Sequence, residues 1–309
     1  MRKSLGDIFF VQGRYPEAIA AHGQALAMRE KIFGLEHPNI AVNVNNLGSA
    51  YASMGQYPQA REAYARSLRI REKALGPDHP DVAVSLGNLA IVLTYLGDFR
   101  QAEDLTRRAL SINEKALGPD HPSLALNLNN LGWVNDLQER YEQAEAFHQR
   151  ALSIREKAFG PEHPEVAVSL CNLGTIALSR ARFPEAKAYF LRELAIENKI
   201  LGPRHLDTVW SHHGLGQVYL AEGRPDEAIP HFEHVLSVCA PDLCRGDAAD
   251  SLASSQFALA KLLWPREKER PRALTLARQA SQDLEKISTP VARKTRAAVR
   301  VWLSRRPGG

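Results

Sequence analysis

Histidine is the residue type in this chain whose spacing most resembles a metal site. His37, His79, His121 and His163 stand 42 residues apart, each is followed by proline, and His205 continues the series. Imidazoles that share a zinc ion each lie about 2 Å from it, whereas neighbouring packed helices are about 8–10 Å apart. These histidines therefore cannot share one ion. We expect no metal, and we expect each imidazole to hydrogen-bond the start of the helix that follows it.

Other spacings that could support chemistry are isolated. His231 and His234 are three residues apart, as are Glu145 and His148, and single pairs of this kind are common on helices. The chain has no Gly-x-Ser-x-Gly, no P-loop, no His-Glu-x-x-His and no Gly-x-Gly-x-x-Gly. Since no catalytic constellation stands out, we expect neither an enzyme nor a cofactor.

Asparagine recurs at the same spacing of 42 residues, although it is a poor helix former. The column, each member followed by leucine, is Asn46, Asn88, Asn130 and Asn172. Two interpretations stay open. The carboxamides bond the backbone of an extended peptide, to which they offer a donor and an acceptor, or each bonds a neighbouring helix and sets the stacking angle. Side chains beside the column vary between copies, as expected of a surface that selects a ligand: Asn45, Asn129, Trp133 and His213.

Arginine forms a further column at the same interval: Arg66, Arg108, Arg150 and Arg192. Two of these follow a carboxylate by four residues, Glu62 and Asp104, which indicates surface ion pairs on one helix. A basic ridge for a partner is the alternative. Farther along the same predicted helix, Arg71 and Arg155 are expected at the edge of a peptide groove, where they would favour a peptide that carries acidic residues.

The columns exist because the chain is a tandem repeat with a period of 42 residues. Apolar residues such as Val44, Leu47 and Tyr51 recur at helical spacing and predict a first helix, and Ala60 and Tyr64 belong to a second. Prolines suit the first turn of each first helix: Pro38, Pro80, Pro122 and Pro164. The predicted units are a truncated repeat at 1–35, repeats at 38–76, 80–118, 122–160, 164–202 and 206–240, a degenerate repeat at 247–286 and a capping helix at 290–305.

The order Leu47, Gly48, Tyr51, Ala60 and Tyr64 resembles the tetratricopeptide repeat, although the usual repeat has about 34 residues. The longer form, with Asn-Leu-Gly and Gly-Pro-Asp-His-Pro, resembles the repeats of kinesin light chains. The resemblance covers residues 5 to about 240. It implies an all-α fold, a tandem array of helix-turn-helix units forming a right-handed superhelical α-solenoid with a C-terminal capping helix. It also implies a non-enzymatic scaffold that binds an extended peptide or partner protein in a concave groove lined by the asparagines.

The end of the chain supports an alternative function. From Arg270 onward it resembles the C-termini of bacterial eukaryotic-like serine/threonine kinases that carry such arrays. This resemblance implies a regulatory or docking tail. Since the chain contains no kinase motif, the catalytic domain of such a protein would lie upstream.

Composition is that of a soluble folded protein, with 44% hydrophobic and 24% charged residues among 309. The absence of a signal sequence or a long apolar run predicts a cytoplasmic protein that does not insert into membranes. Three cysteines exclude a disulfide scaffold, although Cys239 and Cys244 leave one labile disulfide open. Residues 245–309 carry 14 Lys and Arg against 6 Asp and Glu. We expect these to be the solvated face of a capping helix, and no nucleic acid partner.

Overall fold

The computed structural model describes residues 4–239, 247–285, 287 and 289–306, and within them the chain forms fifteen α-helices and no β-strand. The helices are α1 (Leu5–Val11), α2 (Tyr15–Phe33), α3 (Pro38–Ser53), α4 (Tyr57–Leu75), α5 (Pro80–Leu96), α6 (Phe99–Leu117), α7 (Leu124–Asp136), α8 (Tyr141–Phe159), α9 (Pro164–Ser179), α10 (Phe183–Ile200), α11 (Thr208–Ala221), α12 (Pro225–Val238), α13 (Asp247–Leu263), α14 (Arg270–Glu285) and α15 (Pro290–Ser304). The predicted all-α fold of seven helix pairs and a final helix is confirmed. None of the described helices is long and apolar enough to cross a membrane. Cys244 lies outside the described residues.

Three of the recurring histidines cap the helices that follow them, as predicted: His37, His79 and His163. His121 and His205 instead bond the turn just before α7 and α11. The Nδ1 atom of His37 accepts the backbone N–H of Asn39 at 3.2 Å. The same bond, to the residue two positions on, is made by His79, His121, His163 and His205. Each bond satisfies a backbone donor that the helix itself cannot pair. Within the described part of the chain, no group of three or more His, Cys, Asp or Glu side chains is placed to hold a metal.

Proline occupies the first turn of α3, α5 and α9, but the prediction for Pro122 is wrong. Helix α7 begins two residues later, at Leu124. The reason is a tight turn ahead of it, in which the N–H groups of Leu124 and Ala125 donate to the carbonyls of His121 and Pro122, three residues back.

The helices belong to two compact units, residues 1–154 and 155–309. In the first unit, the second helix of each pair buries small residues against the first helix of its own pair and of the next, as Ala60 and Tyr64 of α4 do against Leu86 of α5. Gly48 of α3 faces the ring of Tyr64. The small residue lets the pair approach closely, as the sequence predicted. In the second unit, Phe190 and Phe232 take the position of Tyr64 and are almost fully buried.

Arginine and glutamate join consecutive second helices within each unit. Arg108 of α6 pairs with Glu72 of α4 at 2.6 Å and donates to the carbonyl oxygen of Pro77 at 3.0 Å. Three further pairs repeat this geometry: Arg66 with Glu30, Arg150 with Glu114 and Arg192 with Glu156. The expected partners Glu62 and Asp104 are wrong. The arginines reach a glutamate 36 residues earlier because stacking of the repeats brings it closer than the preceding turn of their own helix.

The degenerate seventh repeat keeps the fold by absorbing its extra residues in a turn. Helix α14 starts three residues later than the period requires, and the short 3-10 turn Glu267–Glu269 fills the difference. Helix α15 then begins at Pro290, with Thr289 accepting the N–H of Ala292 as its cap. Its Val299 is fully buried against α13 and α14, in a cluster that includes Phe257 and Leu284. The helix therefore covers the end of the last pair.

Candidate peptide-binding surface

One face of α3, α5, α7 and α9 presents an exposed apolar residue one turn before the asparagines. On α3, Val42 precedes Asn45 and Asn46 by three and four residues, so the three side chains share a face. Val42 is 53% exposed and Leu126, its equivalent on α7, is 60% exposed. We call the set that repeats this arrangement the apolar column: Val42, Val84, Leu126 and Val168. This column was not predicted from the sequence, although an apolar residue that recurs every 42 residues outside the buried helix face was the available signal.

Two asparagines of the column bond a neighbouring first helix. The Nδ2 of Asn46 donates to Asp7 Oδ1 on α1 at 3.0 Å. The Nδ2 of Asn88 donates to Asn45 Oδ1 on α3 at 3.1 Å. All four side chains are half-buried. These carboxamides hold consecutive first helices together, and the Oδ1 atoms of Asn46 and Asn88 are not used in either bond.

The other two asparagines differ. Asn130 on α7 and Asn172 on α9 are half-buried, and their carboxamides make no hydrogen bond with any described residue. Their donors and acceptors are therefore available to a ligand. Beside Asn130, Asn129 is buried and its Oδ1 lies 3.3 Å from Nδ1 of His148, so this side chain orients a buried imidazole of α8.

Trp133 is part of an aromatic cluster in the first unit. Tyr57 of α4 stacks on Tyr95 of α5, with ring centroids 4.7 Å apart and planes 3° from parallel. Tyr95 meets Trp133 of α7 edge to face at 5.1 Å. The three rings are half-buried and span three successive repeats. Trp133 was singled out from the sequence, whereas Tyr57 and Tyr95 were not, because their proximity depends on how the repeats stack.

A pocket of about 670 Å³ lies where the apolar column meets the ends of the second helices. Phe33, Val42 and Leu75 line it, together with Arg29 and Arg71. Apolar residues equivalent to Phe33 and Leu75 recur at the end of later second helices and are also exposed: Leu117 and Phe159. In the first unit, Phe33, Val42, Leu75 and Leu117 thus form apolar surface alongside the amides.

Arg71 and Arg155 are buried at the junction between repeats, with 9% and 5% exposure. Arg71 Nη1 donates to Ser85 Oγ at 2.8 Å and to the carbonyl of Asp81 at 2.9 Å. Arg155 donates to Ser169 Oγ at 2.7 Å and pairs with Glu165 at 3.1 Å. Both guanidinium groups therefore fasten a second helix to the next first helix.

The equivalent position on α10 carries an acidic residue in place of the arginine. Glu197 of α10 accepts a bond from Ser211 Oγ at 2.8 Å, and burial raises its pKa to about 7. One turn earlier, Glu193 is 2% exposed, and burial and the neighbouring Glu197 raise its pKa well above the ordinary value. His213 on α11 lies 2.8 Å from Ser255 Oγ through Nδ1, and burial lowers its pKa to about 4. At neutral pH this imidazole is an uncharged hydrogen-bonding group.

The model of one protein family, the tetratricopeptide repeat, matches the chain in overlapping segments: residues 1–72, 39–115, 102–157, 137–197 and 178–240. Together these segments cover more than half of the chain. No curated protein sequence matches it.

Solved structures of helical-repeat proteins resemble the chain. The nearly identical repeats of a putative kinesin light chain from Podosopora anserina are 25% identical, with a TM-score of 0.56 over 68% of this chain and 99% of that one. BtubC from P. vanneervenii is 20% identical, with a TM-score of 0.60 over 75% of this chain and 96% of that one. The Rap conjugation gene regulator of plasmid pLS20, solved in complex with the Phr* peptide, is 16% identical, with a TM-score of 0.59 over 91% of this chain and 74% of that one.

Proposed function

The chain belongs to the tetratricopeptide repeat family, and on that premise we propose that it is a non-enzymatic scaffold that binds an extended peptide of a partner protein. The peptide lies along the first-helix face of residues 1–154. The observation that carries the proposal is the apolar column, which stands one turn from the amides on α3, α5 and α7. Exposed apolar residues in a regular row beside amides that keep unused hydrogen-bonding atoms are typical of a recognition surface.

Backbone and side chains of the peptide have separate sites in this arrangement. The carboxamide of Asn130 and the free Oδ1 atoms of Asn46 and Asn88 bond the peptide backbone, for which they have the required donor and acceptor groups. Val42, Val84 and Leu126 contact apolar side chains of the peptide. The cluster of Tyr57, Tyr95 and Trp133 provides a platform for one planar or apolar residue.

The repeat spacing sets the peptide pattern. Packed helices are about 8–10 Å apart, and an extended chain advances about 3.3 Å per residue, so the peptide passes one repeat in about three residues. Suitable peptides therefore carry apolar residues at every third position. The Rap regulator, a fold neighbour, was solved in complex with a peptide, which supports a peptide as the class of ligand.

Selection from a phage-displayed library of random peptides tests the proposal. We expect enriched sequences with apolar residues three apart, and we expect Val84→Asp and Leu126→Asp to abolish their binding. Leu191→Asp is the matched control, since Leu191 is also exposed but lies on α10. Enrichment of no sequence, or equal loss in the Leu191→Asp variant, would argue against the first-helix face.

A further inference from the structure

A second pocket, of about 700 Å³, lies at the end of residues 155–309. Phe257 of α13, Trp264 just after it and Trp302 of α15 form its walls. The Trp264 and Trp302 rings meet edge to face at 5.4 Å, and Phe257 meets Trp302 in the same way at 6.0 Å. Pockets of this size with aromatic walls and a few polar groups are the usual form of ligand sites.

Three cations border the pocket: Lys261, Arg305 and Arg306. Lys261 Nζ lies 5.0 Å from the ring centroid of Phe257, and the Arg306 guanidinium lies 3.6 Å from that of Trp302. Among the residues that the structure describes, no carboxylate is within 4 Å of any of the three. Burial lowers the pKa of Lys261, because the loss of hydration disfavours the charged form.

Several other arginines in the same part of the chain are paired. Arg266 binds Asp226 at 2.6 Å, Arg272 binds Glu233 at 2.6 Å and Arg300 binds Glu285 at 3.4 Å. On α15 itself, Arg296 donates to the carbonyl oxygens of Leu284 and Ile287. The three cations at the pocket differ from the ion-paired arginines, since none of them has a carboxylate partner among the described residues.

The Nε atom of Arg306 is a buried donor without an acceptor in the described structure. The Nη1 of the same guanidinium donates to the carbonyl of Trp302 at 2.5 Å, which fixes the group against the indole. The guanidinium is therefore held in place at the pocket. Together with Lys261 and Arg305 it offers positive charge to an anionic ligand.

The repeat register explains why the pocket opens here. Helix α15 begins six periods after α3. Ala297 and Ala298 therefore occupy the helix positions that Asn45 and Asn46 occupy on α3. Both alanines line the pocket. Methyl groups replace carboxamides at these positions and leave room for a ligand side chain. Val301, half exposed, adds apolar surface beside them.

We propose that this pocket binds an acidic peptide segment, in which an aliphatic side chain packs against the walls formed by Phe257 and Trp264 while a neighbouring carboxylate pairs with the guanidinium of Arg306. Lys261 and Arg305 attract the same carboxylate. The site is independent of the first-helix face of residues 1–154. A nucleic acid is a poorer match, since it needs a row of cations along its phosphates, whereas Arg296 and Arg300 are already engaged.

The test uses the full chain and an acetylated, amidated peptide Gly-Glu-Leu-Glu-Gly as the probe. Nitrogen-15 spectra follow the four indole N–H signals. We expect the signals of Trp264 and Trp302 to shift while those of Trp133 and Trp210 do not. Lys261→Gln and Arg306→Gln should each weaken binding about tenfold. Arg300→Gln is the matched control on the same helix and should bind as the parent does, with circular dichroism confirming an unchanged helix content in all variants.

Three outcomes would overturn the proposal. The first is equal binding of the peptide Gly-Gln-Leu-Gln-Gly, which would remove the role of the charge. The second is a shift of the same indoles by single-stranded oligothymidylate at lower concentration than by the acidic peptide, which would assign the pocket to nucleic acid. The third is binding that appears only after residues 307–309 are deleted, which would show that the carboxylate of this chain's own terminus occupies the pocket.

Discussion

Gly48 on α3 lies so close to Tyr64 on α4 that a Cβ atom added to the glycine would stand 2.9 Å from the tyrosine ring. Tyr64 cannot move aside easily, because it is 5% exposed and its hydroxyl donates to Ser49 Oγ at 3.0 Å. The closeness of these two residues sets the distance between the helices of the pair. Gly87 on α5 provides a contrast, since a Cβ there would meet nothing within 4 Å.

These two glycines make a matched test of close packing. We expect Gly48→Ala to lower the free energy of unfolding by about 1–3 kcal/mol, because the methyl group displaces a buried ring. Gly87→Ala should raise it by about 0.5–1 kcal/mol, because alanine restricts the unfolded chain and favours a helix. Urea unfolding followed by circular dichroism measures both. Equal effects in the two variants would show that the distance between α3 and α4 is not set by Gly48.

Each arginine–glutamate pair between second helices should contribute little to the free energy of unfolding. Arg108 and Glu72 are 38% and 30% exposed, and pairs with this exposure typically contribute about 0–1 kcal/mol because water screens them. We expect a double-mutant cycle of Arg108→Gln and Glu72→Gln to give a coupling energy in that range. The single variant Arg108→Gln also loses its bond to the Pro77 carbonyl and should cost slightly more than Glu72→Gln. A coupling energy near zero would mean that the ion pair adds nothing to that carbonyl bond.

The period, the helix pairs and the histidine caps could be predicted from the sequence because each depends on residues within a few positions of one another. His37 needs only the N–H of Asn39. The partner of Arg108 could not be predicted, since it lies 36 residues away and depends on how second helices stack. The stacking of Tyr57 on Tyr95 could not be predicted for the same reason. The asparagine column was visible, but its division into bonded and unbonded members depends on which residue of the preceding first helix faces each carboxamide.

The buried glutamates of α10 should make the second unit less stable as pH rises. Burial raises the pKa of Glu197 to about 7 and that of Glu193 well above its ordinary value. A carboxyl whose pKa is raised in the folded state contributes fully below the unfolded pKa of about 4.5, and this contribution is lost as pH rises toward 7 and above. We expect Glu197→Gln to raise the free energy of unfolding by about 1–3 kcal/mol at pH 8 and to change little at pH 4.

Unfolding by urea at a series of pH values measures this effect, with Glu185→Gln as the control. Glu185 is also on α10 but is exposed and paired with Arg182. If Glu197→Gln destabilises the chain equally at pH 4 and pH 8, its carboxyl is not held protonated.

The buried histidines of α11 should make the second unit less stable as pH falls. Burial and repulsion from His234 and His231 lower the pKa of His212 to about 3, and burial lowers that of His213 to about 4. The ring centroids of His212 and His234 are 3.7 Å apart, and the Nδ1 atoms of His212 and His231 are 2.9 Å apart. At these distances a positive charge on one imidazole opposes protonation of the next. These histidines are protonated at higher pH in the unfolded state than in the folded state. The free energy of unfolding therefore falls as pH drops from about 6.5 toward 4.

A background in which Glu193 and Glu197 are both changed to Gln isolates this slope from that of the glutamates. We expect that variant to lose about 1–2 kcal/mol per histidine between pH 7 and pH 5. Adding His213→Asn, which keeps a hydrogen-bonding group near Ser255 Oγ, should remove about 1–2 kcal/mol of the loss. A pH dependence that this addition leaves unchanged would show that His213 is already charged when folded.

The asparagine column allows stability and binding to be separated, because its members differ in what they bond. Asn88 donates to Asn45, so Asn88→Ala should lower the free energy of unfolding by about 1 kcal/mol. Asn130 makes no bond within the described structure, so Asn130→Ala should leave stability within about 0.5 kcal/mol of the parent. For a peptide selected as described above, Asn130→Ala should weaken binding about tenfold if the carboxamide bonds the peptide backbone. Calorimetric titration of both variants, beside urea unfolding, decides between the two interpretations of the column. Unchanged peptide affinity in Asn130→Ala would leave the asparagines with a stacking role alone, since the residue with the most available carboxamide would then contribute nothing to the ligand.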